Sequence, residues 1–142
     1  MDQAIVACST PPGRGAISVV RISGKEAKSI INNLFSLEFD HGTSKVAETS
    51  LSEGFNEKCL ISCFEGPSSY TGEDLAEISC HGNPIIVRAL IQKCIELGAR
   101  NANPGEFTQR AFLNNKIDLA QSEAIIDLIN ASSSAAMVAA SK

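Results

Sequence analysis

Two charged residues interrupt runs that otherwise read as apolar strands. Arg21 stands in VVRIS and Glu77 in LAEISCHG. A guanidinium in such a run needs a carboxylate or another planar acceptor, because burying it unpaired is costly. Strand alternation puts Leu75, Glu77 and Ser79 on one face and Ala76, Ile78 and Cys80 on the other. A carboxylate so placed suits paired N–H donors, such as the edge of a pterin or a guanidinium. Two accounts therefore stand side by side: an internal ion pair of Arg21 with Glu77 or Asp74, or capture of a ligand by both residues. His81, next along in CHGNP, lacks the companions a metal would need. A Cys80–His81 nucleophile pair is disfavoured, since adjacent strand residues point apart. Lys116, in NNKIDLAQ, falls in a turn between helices, where a lysine alone would signify a solvated charge. PPGRG, from Pro11 to Gly15, reads as a tight connection whose glycines permit close backbone approach. No GxxxxGK[ST] follows, so a nucleoside triphosphate site of that type is not expected.

Composition narrows the classes. The 142 residues are 44% hydrophobic, enough for one well-packed domain. Twelve Lys and Arg against 16 Asp and Glu give a net charge of −4, a field that does not attract nucleic acid. The five cysteines lack CxxC spacing, which argues for core thiols rather than disulfides or zinc. In KCLISCFEG a strand reading places Cys59 and Cys63 on one face. MDQAIVACSTPP carries no basic start and no apolar run approaches a membrane span, so a cytoplasmic chain without a membrane partner is expected.

The elements that must position these residues follow from periodicity. AIVACS and AISVVRIS read as strands that pair across PPGRG. Ser23 is the expected cap, with Glu26 as its capping-box partner, of a helix whose stripe is Ala27, Ile30, Ile31, Leu34 and Phe35. KVAETSLSE, KCLISCFEG and LAEISCHG give three more strands around the loops GFNE and GPSSYTGED. NPIIVRALIQKCIELG is a helix with Pro84 in its first turn and Gly98 at its stop. The order strand–strand–helix–three strands–helix makes an α+β fold with a mostly antiparallel or mixed sheet. A short helix is then expected from Pro104. Asp118 is the expected cap of a long alanine-rich helix running from Leu119 to the last residue. Its apolar stripe has no partner to cover it, so residues 119–142 are expected to open an all-α domain beyond a first domain of residues 1–118.

STPPGRGAISVVRISG, FEGPSSYTGEDLAEISCHGNP and ANPGEFTQRAFLNNKIDLAQSEAIIDLINA together resemble the N-terminal part of the tRNA modification GTPase family MnmE, also called TrmE. The resemblance runs in order over the whole chain and is weakest from Asn33 to Cys59. It implies a fold like one half of the folate-binding aminomethyltransferases, a homodimer, and a bound reduced folate, 5-formyl-tetrahydrofolate or a relative, near the dimer interface. A helical domain with an inserted GTPase domain would follow. The implied function is modification of carbon 5 of the wobble uridine in tRNA, together with the flavoprotein MnmG, with the folate as one-carbon source. Three folate contacts carry over by motif: Arg21 from RISG, Glu77 from GEDLAE and Lys116 from FLNNKIDL. The family's GTP-binding motifs are absent from these residues, so GTP, magnesium and potassium would belong to the GTPase domain, and no hydrolysis is expected of this segment alone. No catalytic or metal-binding residue is expected within it. Ala16 and Asn83 stand where relatives often carry glycine. Two other functions stay open: a dimerisation scaffold without folate, and a free-standing aminomethyltransferase-like enzyme.

Overall fold

The computed structural model describes residues 3–11 and 13–130. Its first two strands, β1 (Ile5–Cys8) and β2 (Ile17–Ser23), pair antiparallel across the PPGRG break. Helix α1 (Ala27–Phe35) follows, then β3 (Ser44–Ser52), β4 (Phe55–Phe64) and β5 (Leu75–His81), then helix α2 (Pro84–Glu96). A two-residue strand, β6 (Arg100–Asn101), comes next, followed by helices α3 (Glu106–Leu113) and α4 (Leu119–Asn130). The strands form one six-stranded mixed sheet in the order β3-β4-β5-β2-β1-β6, antiparallel throughout except that β6 runs parallel to β1. This is the α+β architecture expected.

Alternation divides the sheet cleanly. Val6, Val20, Ile22, Ile61, Ala76 and Ile78 point to one face and join Ile30, Ile31, Phe35, Leu90 and Cys94 of α1 and α2 in the core. All five stripe residues of α1 are buried, which is what drives so short a helix onto the sheet. Cys59 and Cys63 both lie on this core face, as a strand requires. Emptying such a position, for example Ile30→Ala, removes about 2–5 kcal/mol of stability.

Local details depart from expectation in instructive ways. Ser23 does not cap α1. It ends β2, is fully buried, and bonds Thr71 and Glu73, while Glu26 sits at the cap position with no side-chain cap bond. β4 begins at Phe55, so Glu57 lies in a strand rather than in the loop expected there. α3 starts at Glu106, because Gly105 takes a left-handed conformation at its cap. β6 was not anticipated: two residues carry no periodicity, and β1 recruits them by hydrogen bonds from Arg100 N–H to the Ala4 carbonyl and from Ala102 N–H to Val6. Pro84 and Gly98 behave as expected at the two ends of α2. Asp118 does cap α4: its carboxylate accepts from the Gln121 N–H, and the Gln121 side chain accepts in return from the Asp118 N–H. The remainder of the expected long helix, 131–142, lies outside the described residues.

Candidate functional site

The second face of the sheet carries the residues of interest. Ser44, Ser62, Glu77, Arg21 and Ala7 form one rung across five strands. Arg21 and Glu77 are direct cross-strand partners there, and their side chains close an ion pair. Nε of Arg21 donates to Glu77 Oε2 at 3.0 Å, and Nη2 lies 3.0 Å from the same oxygen. Both donors thus converge on one oxygen. Among the described residues, Nη1 of Arg21 and Oε1 of Glu77 have no recorded partner. The side chains are 22% and 29% exposed, so the pair is neither a surface contact nor a sealed one.

Aromatic rings frame the guanidinium. Its central carbon lies 5.2 Å from the ring centroid of Tyr70 and 5.4 Å from that of Phe107. These are two cation–π contacts, and the planar delocalised charge of arginine can stack on such rings. Two cavities meet here. One, of about 450 Å³, holds Arg21 with Cys8, Ser9, Phe107 and, from α4, Ile125 and Ile129. The other, of about 440 Å³, holds Glu77 with Phe64, Ser68, Ser69 and Leu75. Tyr70 borders both.

Tyr70 sits on the loop between β4 and β5, and that loop is braced along its length. Gly66 N–H donates to Asp74 Oδ1 at 2.9 Å, the Ser69 hydroxyl bonds the Glu73 carbonyl, and the Thr71 hydroxyl meets that of Ser23 at 2.6 Å. The Tyr70 hydroxyl pairs with the buried Thr108 of α3 at 2.9 Å. Lys116 belongs to this bracing: its ammonium donates to the Pro67 carbonyl at 3.0 Å, and its stem passes close to Gly72. The structure therefore brings Arg21 and Glu77 together directly. Lys116 reaches the loop that overhangs them rather than the pair itself.

Helix α3 holds its position by an unusual buried face. Glu106, Thr108, Arg110 and Ala111 are buried, whereas Leu113 is exposed. Arg110 is 2% exposed and donates to Glu73 at 3.1 Å and to the Gln3 carbonyl at 2.7 Å, tying α3 to the loop and to the start of β1. Its Nε is buried with no partner. Glu106 receives Arg100, the backbone N–H of Asn103 at 2.9 Å, and the more distant Arg110. Hydrogen bonding to Arg100 is the main reason its carboxyl is pushed down to about 2, with burial opposing and the Asn103 N–H assisting. The mixture of charges and rings in PGEFTQRAFL is the signature of a helix docked by ion pairs.

Elsewhere the candidates behave structurally. His81 is exposed, with its Nδ1 2.8 Å from the buried carboxylate of Glu57, which also accepts the His81 backbone N–H at 2.9 Å. Among the described residues no group of three His, Cys, Asp or Glu is placed to hold a metal. All five cysteines are free, and four are buried. Burial pushes the Cys59 and Cys94 thiols to about 12 and Cys80 to about 11. Such thiols stay protonated and unreactive at neutral pH. In PPGRG the close approach belongs to the far side: a Cβ at Gly82 would lie 2.3 Å from the Gly15 carbonyl oxygen, while Gly13 and Gly15 have open space. No helix among the described residues is long and apolar enough to cross a membrane.

Tyr70, Phe107, Thr108 and Glu73 were missed as site residues by sequence reasoning. The available signal was an aromatic inside the Gly/Ser-rich loop GPSSYTGED, where no hydrophobic period calls for one.

Fold and site together define an α+β domain with two helices packed on one face of a mixed sheet and a candidate small-molecule site on the other. Comparison with known proteins makes the assignment specific. The family model described as GTP-binding protein TrmE N-terminus matches residues 4–116, and the chain belongs to this family. Proteins named tRNA modification GTPase MnmE are similar to it: that of Francisella philomiragia is 46% identical over 138 residues, covering 97% of this chain. The Legionella pneumophila (strain Paris) protein is 50% identical over 93% of the chain, and that of Flavobacterium johnsoniae 46% over 94%. The chain spans 31%, 30% and 30% of the lengths of these relatives.

Proposed function

We propose that this chain is the folate-binding, dimerising N-terminal part of a tRNA modification GTPase, with 5-formyl-tetrahydrofolate or a close relative held at Arg21 and Glu77. The observation that carries the reading is the half-satisfied ion pair. Arg21 keeps a donor edge and Glu77 an acceptor oxygen, and each borders a cavity large enough for part of a small ligand. A reduced folate offers matching chemistry: a pterin edge rich in N–H donors, an aromatic middle, and a carboxylate-bearing tail. Lys116 contributes by holding the loop, through its bond to the Pro67 carbonyl. When bound, the folate supplies the one-carbon unit; the chain's own residues bind it, orient it and shield it.

Dimerisation is supported by the part of the site face that α3 does not cover. Ile17, Val46, Leu60 and Phe64 are 64%, 58%, 44% and 37% exposed on that face, large apolar side chains left uncovered by the described helices. A second copy of this chain is the proposed cover. Residues 1–118 would form this domain, with α4 opening a helical domain. GTP hydrolysis, tRNA recognition and work with MnmG in the cytoplasm would belong to the longer protein.

Calorimetry with 5-formyl-tetrahydrofolate tests the reading. A saturable heat at one ligand per chain is expected; no heat, and no competition by other reduced folates, overturns it. A second reading is favoured by the ion pair being closed at all: a scaffold that dimerises without folate. Sedimentation showing a dimer beside silent calorimetry would select it.

A further inference from the structure

We infer that Tyr70 is the stacking wall of the site and fixes which way the ligand lies: the planar ring rests on Tyr70 in the Glu77 cavity, and the anionic tail runs into the Arg21 cavity. This rests on the folate reading and adds an orientation and a recognition residue to it. The two cavities differ in what they can accept. The Glu77 cavity is walled by Phe64, Tyr70 and Leu75 beside Ser68 and Ser69, and the Glu77 Oε1 has no donor among the described residues. Two aromatic walls beside a carboxylate acceptor suit a heteroaromatic ring that carries adjacent N–H groups, and the Glu77 charge would repel a carboxylate. The Arg21 cavity offers the opposite: the guanidinium edge not used by Glu77, with the Ser9 side chain nearby on its wall. That is a site for the acidic end.

Tyr70 is the residue common to both cavities, and it is positioned rather than loose. Its hydroxyl is anchored to Thr108, its ring lies against the Arg21 guanidinium, and its loop is pinned at Gly66, Ser69 and Thr71. A ring held this way loses little freedom when a ligand stacks on it, which is how preorganised aromatics add affinity. Phe107 flanks Arg21 equally closely but borders the Arg21 cavity and not the other. It therefore cannot serve the pterin end.

The chain contains one tyrosine and no tryptophan, so a single 3-fluorotyrosine label reports Tyr70 without assignment. The experiment follows that fluorine resonance during titration of the labelled chain with 5-formyl-tetrahydrofolate. It is paired with dissociation constants for Tyr70→Ala and Tyr70→Phe against the folate, a free pterin and p-aminobenzoyl-glutamate. The resonance is expected to shift to a single bound position with the folate and with the pterin. Tyr70→Ala should weaken both by about tenfold or more, the scale of one stacked ring, and p-aminobenzoyl-glutamate by less than about threefold. Tyr70→Phe, which keeps the ring and loses only the Thr108 link, should restore most of the affinity. If the wild type binds folate but the resonance stays still, or Tyr70→Ala weakens both fragments alike, the inference fails and the folate reading stands. If the wild type binds no folate, both fall.

Discussion

Arg21 and Glu77 face each other across β2 and β5 and leave one hydrogen-bonding edge of each unused by the described residues. Their legibility in sequence has a simple physical origin: a charge inside an apolar strand must find a partner, and only a few partners lie in reach. What sequence could not resolve was whether that partner was protein or ligand. The geometry answers that Glu77 partners Arg21 incompletely. Tyr70 and Phe107 were invisible as partners because cation–π contacts follow from loop and helix placement, not from period or spacing. At this scale the account predicts that Glu77→Ala weakens binding of 5-formyl-tetrahydrofolate by roughly 2–5 kcal/mol in calorimetry, about thirtyfold or more, the usual loss when one member of a hydrogen-bonded charge pair is truncated. Affinity within about threefold of wild type would remove Glu77 from the site.

The elements around the pair divide into those docked by apolar stripes and one docked by charge. α1 and α2 follow from a helical period and were readable as such. α3 buries Glu106, Thr108 and Arg110, so its period predicts the wrong face inward, and β6 is too short to carry a period at all. Arg110→Ala would leave Glu73 and the Gln3 carbonyl without their buried donor. Urea unfolding is expected to register a loss of about 3–5 kcal/mol, the scale for breaking a buried ion pair from one side. Glu106 supplies a pH signature. Its folded carboxyl titrates at about 2 against an ordinary 4.5, so the unfolded chain takes up the proton first as pH falls. The stability it contributes is full above about pH 5 and is lost progressively towards about pH 2. Glu106→Gln should flatten that part of the urea midpoint profile, and an unchanged profile would contradict the assignment.

For the whole molecule, the sheet's two faces have different fates. One is closed by α1 and α2; the other is shared among α3, the candidate site and exposed apolar residues toward β3 and β4. The fold class and the order of all but the shortest strand were legible, because alternation and helical period survive in a single sequence. The bare face was not, since Val46 and Leu60 read as ordinary strand hydrophobics until the helices are seen to pack on the other side. Leu60→Glu places a charge in the centre of that surface. Sedimentation is expected to show wild-type dimers and a monomeric variant of unchanged helical content; a monomeric wild type would leave the face without its proposed cover.

A crystal structure of the chain grown with 5-formyl-tetrahydrofolate tests the central claim most directly. The account predicts ligand density in contact with both Glu77 Oε1 and the outer edge of the Arg21 guanidinium. Density elsewhere, with the Arg21–Glu77 rung untouched, would contradict it.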